Sequence, residues 1–500
     1  MTTNIEKQYR GASPGAPSQY RAASARQRME RLVEPGTLQG LPEEVRVEFN
    51  SNDGVLVGVG EIDGSRVFLA AQNSSCRGGS FGETHAARVK GMLEAAQWAA
   101  PDAVLLLLDS GGVRLEEAES AMLGAAEIVR GIQELRAAGI PVLAVVGGQL
   151  GCFGAAALVA RSADRVVMVE GARFGTSGIR VMDVMADGGA GLTSHQREVL
   201  EMAVAASSRV ATGEADAVVV DDVLAVRGAI IQYLDDYQPP GVEDLKTTQA
   251  LLQTRLPGAK PEQRGVFKAL QNDLDRLFPN GLVVAEHDGL VQGSGVRTCG
   301  EEVRILGFVS GRPAGFVQVV RLAQELLATM THDSGRSILL LADAEQAFSV
   351  ENEQRGFALA LAHLAAVIAH ARTRGHRVIA LLRESGWGAS FIASAMMADE
   401  LYALKGARIR ALPEKAVALF APQSLGERGD GSLALERFCH LGAVDTIWDR
   451  CLSRYLNAGL AGLRQSDRRR LRGAQRCGRT APLAVCDRVA CDLMESFHAK

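Results

Sequence analysis

The chain repeats itself once, and that repeat limits its fold more than any other feature. Leu339-Leu-Leu-Ala-Asp343 follows the shape of Leu105-Leu-Leu-Leu-Asp109 at an offset of 234 residues. Gly375-His-Arg-Val-Ile-Ala-Leu-Leu382 follows Gly139-Ile-Pro-Val-Leu-Ala-Val-Val146. Gly386-Trp-Gly-Ala-Ser390 follows Gly151-Cys-Phe-Gly-Ala155, and Ala398-Asp399 follows Ala163-Asp164. Self-similarity at so long a period means two copies of one domain, not a short-period solenoid. A length of 500 residues also exceeds what one ordinary core serves.

Within a copy, the most informative stretch is Pro141 to Ala157. Val142 to Val146 is an apolar run suited to a buried strand. It breaks into Gly147, Gly148, Gly151 and Gly154, then enters a small-residue segment that can open a helix. Glycines there let another group approach bare N–H donors, and a helix N-terminus favours an anion. Strand, glycine loop, helix and strand in this rhythm predict α/β layers with parallel crossovers. A hairpin is expected at Glu61 to Gly64, and helices over 25–34, 85–99, 115–138, 194–211, 219–234 and 351–373.

Residues 1–24, rich in Gly, Ala, Ser, Pro and Gln, predict a mobile arm. The first domain is then 25–237, and the second 265–500. Between them, 238–264 is polar and reads as a linker with a helix near Asp244 to Thr254. Net charge of -4 gives nucleic acid no basic surface. No apolar run approaches the length of a membrane span, and no signal peptide is evident. The 8 cysteines are scattered without a Cys-x-x-Cys pair, so neither a zinc ribbon nor a disulfide framework is expected. A reducing cytoplasm suits them.

The residues leave several chemistries to weigh. Backbone donors at Gly154 and its partner stretch would stabilise a developing oxyanion without a charged side chain. Gly78-Gly-Ser-Phe-Gly82 fits the nucleophile-elbow pattern around Ser80, with Asp164 and His195 downstream, but such matches are common among 54 glycines. Gly58-Val-Gly60 is followed by Asp63, which breaks the dinucleotide fingerprint. The histidines show no metal spacing. Cys152 reads as a packing residue rather than a nucleophile. Arg77, Lys90 and Arg114 suit either an anion or a solvated surface, and the Arg468–Arg472 cluster suits a solvated helix face.

Residues 25–237 resemble the β subunit of malonate decarboxylase, in the carboxyltransferase branch of the crotonase-like superfamily. The motifs are Ser24-Ala-Arg-Gln-Arg28, Gly78-Gly-Ser-Phe-Gly-Glu83, Asp109-Ser-Gly-Gly-Val-Arg-Leu115 and Gly147-Gly-Gln-Leu-Gly-Cys-Phe-Gly154. Residues 265–460 resemble the γ subunit through Ser337–Asp343, Gly375–Ala380 and Gly388–Phe391. The resemblance implies an α/β fold of two tandem crotonase-like (β-β-α superhelix) domains. It implies a carboxy-lyase that decarboxylates a malonyl thioester on an acyl carrier protein to an acetyl thioester and carbon dioxide.

Carried over residue by residue, the catalytic oxyanion donors are the N–H groups of Gly154, Ala155, Ala389 and Ser390. The substrate-binding residues are Gly78, Gly79, Ser80, Gly111, Gly112 and Gly388. No metal and no cofactor of the chain's own are implied. The phosphopantetheine arm belongs to the carrier partner, an acyl-carrier transferase subunit is a second partner, and an oligomer in the cytoplasm is expected. This chain has Gly154-Ala155 where the family usually has Gly-Gly, and Gly388-Ala389-Ser390 where it usually has Ser-Gly-Gly or Ser-Gly-Ala. Three alternatives remain open: a biotin-linked carboxyltransferase, a catalytically weak scaffold subunit, and a serine hydrolase built on Ser80.

Overall fold

The computed structural model describes residues 19–40, 53–186, 191–258, 263–264, 268–332, 335–424, 432–461 and 469–498. Its first half holds a seven-stranded sheet whose spatial order is its chain order. The strands are β1 (Gln39–Gly40), β2 (Val55–Ile62), β3 (Ser65–Gln72), β4 (Ala103–Leu108), β5 (Val142–Val146), β6 (Arg165–Val169) and β7 (Ala217–Val219). β1, β2 and β3 pair antiparallel, and from β3 onward every neighbour is parallel. The second half repeats the plan. Its strands are β8 (Gln263–Arg264), β9 (Leu282–His287), β10 (Leu290–Val296), β11 (Glu302–Phe308), β12 (Ile338–Ala342), β13 (Val378–Leu382), β14 (Glu400–Leu404) and β15 (Thr446–Trp448). The switch from antiparallel to parallel falls between β11 and β12. The expected tandem α/β architecture is what the chain adopts.

The central parallel strands β4, β5, β12 and β13 are apolar and buried on both faces because both faces are covered. Alternate residues enter different cores. Leu105 and Leu107 of β4 pack outward with Met29, Leu32 and Ile230. Val104, Leu106 and Leu108 pack inward with Met122 and Ala126. In β12, Leu339 and Leu341 meet Leu274 and Trp448, while Ile338, Leu340 and Ala342 face inward. The two inward faces contribute to one continuous apolar cluster, so the halves share a core. Helices α1 (Glu83–Ala99), α2 (Ala118–Ala137), α3 (Ala155–Ser162), α4 (Val242–Gln253), α5 (Phe357–Thr373), α6 (Gly388–Ser394) and α7 (Thr480–His498) surround or fill it.

Several local expectations change in the structure. The stretch read as one helix over 219–234 is the edge strand β7 followed by a helix from Val223, capped by the Asp222 carboxylate. The stretch 194–211 is two helices, Ser194–Ala203 and Ala206–Ala211, split where Ala205 pairs with Arg173. The 351–373 helix breaks at Gly356, whose φ of 84° suits glycine. Tyr20, inside the expected arm, is buried against the backbone of Gly147. Residues 1–18 lie outside the described residues.

The basic cluster is the largest correction. Arg468 lies outside the described residues, but Arg469 is buried and donates to the carbonyls of Met396 and Ala398. Arg470 grips Glu94 at 3.0 Å through both carboxylate oxygens. The arginines lead into α7, which lies along α1 so closely that a Cβ on Gly91 would meet Cys486 O at 2.5 Å. A charge count along one segment cannot show that the carboxylates waiting for it lie hundreds of residues away.

Candidate functional site

The site is built by buried aspartates that clamp loop backbones. Asp109, at the end of β4, accepts from the N–H groups of Gln149 (3.3 Å) and Leu150 (2.9 Å). Asp343, at the end of β12, accepts from Arg383 (2.9 Å) and Glu384 (2.8 Å) at the same offset of 234. Gly148 is required beside Asp109, since a Cβ there would fall 1.7 Å from the carboxylate carbon. A second pair of clamps sets the next strands. Asp164 takes the Val142 N–H and Arg136, and Asp399 takes the Val378 N–H and Arg372, all at 2.6 to 2.9 Å. The duplication thus extends to individual hydrogen bonds. It also sets the register of the glycine stretches: Phe153 N–H bonds to Ser110 O, and Trp387 N–H to Ala344 O. Gly154 (φ 64°) is therefore matched by Gly388 (φ 71°), and Ala155 by Ala389.

Both stretches line one cavity of about 420 Å³. Its walls are mainly apolar, with Val113, Leu150, Phe153, Phe348 and Ile392 among them, and Arg173 and Arg180 lie at its exposed rim. Among the residues that line it, Ala155 and Val113 have backbone N–H groups with no acceptor among the described residues. Ala155 is the first residue of α3, so its N–H has no partner within the helix. Val113 sits between two residues that pair with Phe81, Gly112 through its carbonyl and Arg114 through its N–H, both at 2.8 Å. Its own N–H points away from that bridge. Gly112 (φ 110°) keeps the space open, because a Cβ there would lie 3.8 Å from the Ala155 nitrogen and 3.1 Å from Phe153 O. Free backbone donors on the wall of an apolar pocket can stabilise an enolate oxygen.

Comparison with known proteins follows the same division. Residues 22–263 match the model of the carboxyl transferase domain, and residues 310–492 that of the malonate decarboxylase gamma subunit. The chain is a malonate decarboxylase β/γ-like subunit. The chain is 32% identical, over 149 residues, to malonyl-S-ACP:biotin-protein carboxyltransferase of Malonomonas rubra, covering 26% of this chain and 46% of that protein. It is 30% identical over 183 residues to the acetyl-coenzyme A carboxylase carboxyl transferase subunit beta of Fusobacterium nucleatum, covering 33% and 59%. The chain thus spans about half the length of these two curated relatives. A chain of the Pseudomonas malonate decarboxylase MdcD-MdcE hetero-dimer is 31% identical, with 47% of this chain and 96% of that one covered and a TM-score of 0.41.

The carboxyltransferase half and the γ-like half bring together only part of the expected residue set. Gly111, Gly112, Gly154, Ala155, Gly388 and Ala389 all line the cavity. Gly154 N–H, however, is already given to Gly175 O at 3.2 Å, and Ala389 N–H to the Gln346 side-chain oxygen at 2.6 Å. Ser390 is one residue too far along: it does not line the cavity, and its hydroxyl donates to Ala314 O. Gly78, Gly79 and Ser80 also lie outside it. They brace the Asp109–Gly112 loop from behind, where Gly78 O accepts from Gly111 N–H at 3.0 Å and a Cβ on Gly79 would strike Asp109 O. The Ser80 hydroxyl donates to Arg77 O at 2.7 Å and Asp164 is held by Arg136, so Ser80 and Asp164 do not belong to one relay.

The remaining candidates are structural. Arg114 is buried and engaged with Glu117 and two carbonyls, Arg77 faces Glu117, and Lys90 faces Glu134. Cys152 is buried, which pushes its thiol up and away from the reactive thiolate. Glu94, Cys486 and Asp487 approach as metal ligands would, but the Arg470 guanidinium already lies among them. No helix among the described residues is long and apolar enough to cross a membrane. Sequence reading missed Val113, Ser177 and Gln346. The first stands inside the Asp-Ser-Gly-Gly-Val motif and only its loop geometry frees its N–H. The Ser177 hydroxyl is buried on the cavity wall without a partner among the described residues.

Proposed function

We propose that the cavity decarboxylates a malonyl thioester carried on the pantetheine arm of an acyl carrier protein. The observation that carries the reading is that Val113 and Ala155, whose N–H groups have no acceptor among the described residues, both line an apolar cavity shared by the two halves. The thioester oxygen lies between these donors. The bond from the α-carbon to the terminal carboxylate breaks, its electron pair passes into the thioester as an enolate, and carbon dioxide leaves. One proton then adds to the α-carbon to give the acetyl thioester. No side-chain nucleophile is required. The apolar walls favour a transition state in which the carboxylate charge spreads toward the enolate. Arg173 and Arg180, the latter stacked 5.0 Å from the Phe420 ring, suit the phosphate of the incoming arm. The working enzyme is then an oligomer in the cytoplasm that includes a carrier subunit and an acyl-carrier transferase subunit.

The test is incubation of the purified chain with malonyl-loaded carrier protein, reading acetyl-carrier and carbon dioxide. Stoichiometric formation of both is expected. A folded chain that releases neither from an authentic carrier overturns the proposal. The name of the Malonomonas rubra relative supports a second reading, transfer of the same carboxyl group to a biotin protein. Adding a biotinylated carrier distinguishes the two, because transfer would replace free carbon dioxide with carboxybiotin.

A further inference from the structure

The two halves differ where their register matches. Gly112 of the first copy corresponds to Gln346 of the second, 234 residues on. In the first copy the missing side chain leaves the Ala155 N–H open to the cavity. In the second, the Gln346 carboxamide oxygen takes the corresponding Ala389 N–H at 2.6 Å. Gly388 makes room for it, since a Cβ there would meet that oxygen at 2.3 Å. The contact also settles which way the amide faces. An NH2 group aimed at the Ala389 N–H would place donor against donor, so the oxygen must point there and the nitrogen away. The Gln346 backbone is held as well, its carbonyl accepting from the Trp387 indole at 3.2 Å. Gln346 is only 4% exposed, yet it lines the cavity, and its amide nitrogen has no acceptor among the described residues.

We propose that Gln346 is a specificity-determining residue whose side-chain N–H groups recognise the terminal carboxylate of the substrate. This rests on the malonyl-thioester reading above. With the thioester oxygen held by Val113 and Ala155 from the first half, a donor from the second half meets the other end of a malonyl group. The choice of a neutral amide has a chemical reason. A guanidinium would bind the carboxylate more strongly, and that binding is lost as carbon dioxide leaves. An amide orients the carboxylate with less ground-state stabilisation. Orientation matters because the breaking bond must stand perpendicular to the thioester plane for its electrons to enter the carbonyl.

The test compares binding of two non-reactive pantetheine thioether analogues by calorimetry, one ending in a carboxylate and one in a methyl group. In Gln346→Met, which keeps the volume and removes the donors, affinity for the carboxylate analogue is expected to fall roughly tenfold with the methyl analogue unchanged. Gln346→Glu, which adds a like charge, should fall further for the carboxylate analogue alone. Equal loss for both analogues, or no loss for either, overturns the proposal, and a thermal melt of each variant shows that it is folded. The readout does not need turnover. A wild-type chain that binds both analogues but releases no carbon dioxide would therefore refute the decarboxylase reading and leave this assignment standing.

Discussion

At the scale of single residues, the chemistry depends on which backbone N–H groups remain free. Two of the four expected donors, Gly154 and Ala389, already have acceptors, while Ala155 does not. Ala155 is the first residue of α3, a position that tolerates proline because its N–H makes no helical bond. Ala155→Pro thus removes the donor and preserves the helix. Carbon dioxide release is expected to fall roughly 10²–10³-fold, the usual loss for one oxyanion donor, with little change in melting temperature. An unchanged rate would show that the reaction does not use this N–H. The motif Gly-Cys-Phe-Gly-Ala was visible in the sequence, but the partner of each N–H was not. A carbonyl such as Gly175 O comes close only when two separate short strands pair.

At the scale of elements, the C-terminal arginines show how far a charged segment can depart from a solvated helix face. Arg479, fully buried, donates to both carboxylate oxygens of Glu127 on α2, at 2.6 and 3.1 Å. Glu83, at the start of α1, stands 3.5 Å away on the same guanidinium, and burial raises its carboxyl above the ordinary range. One side chain therefore ties the end of the γ-like half to two helices of the carboxyltransferase half. Arg479→Leu would leave Glu127 buried without its partner. Such losses cost about 3–5 kcal/mol, so the urea midpoint should drop sharply. A midpoint within error of the parent would mean that Glu127 is solvated. α7 itself was not recognised from its sequence, because its apolar residues, Val485, Val489, Leu493 and Phe497, have no local target and need α1 to cover.

At the scale of the whole molecule, each half carries a buried neutral histidine, and each contributes a loss of stability toward acid. Burial holds His85 down at about 3, between Gln72 and the Asp53 carbonyl. Burial likewise holds His363 at about 4, where it meets Gln249 of α4 at 2.9 Å. Both folded values lie below the ordinary value of 6.5, so the unfolded chain binds more protons in this window. Their contribution to stability is complete above about pH 6.5 and is lost as pH falls toward 4 and then 3. Thermal melts at pH 7.5 and pH 4.5 should show the drop, and His85→Gln should reduce its slope. A parent slope that the variant reproduces would assign the effect to other groups. The His363 contact also shows that the polar stretch 238–264 contributes a packed helix, since Leu252 and Gln249 of α4 are buried.

By itself, the sequence determined the duplication, the α/β class and the family, because these rest on patterns local in the chain. Apolar runs bounded by glycine and aspartate, repeated at one offset, have few ways to fold. The meeting of the two glycine stretches could be expected from their pairing, and Gly112, Gly154, Ala155, Gly388 and Ala389 do line one cavity. Only the tertiary structure decided which of those N–H groups is free, that the matched register runs through Gly388 rather than Ala389, and that Gln346 fills the second half's donor. Those outcomes depend on distances between atoms brought together by the shared core. A one-residue shift, invisible in a repeat read by eye, moves a donor from the cavity to a neighbouring carbonyl.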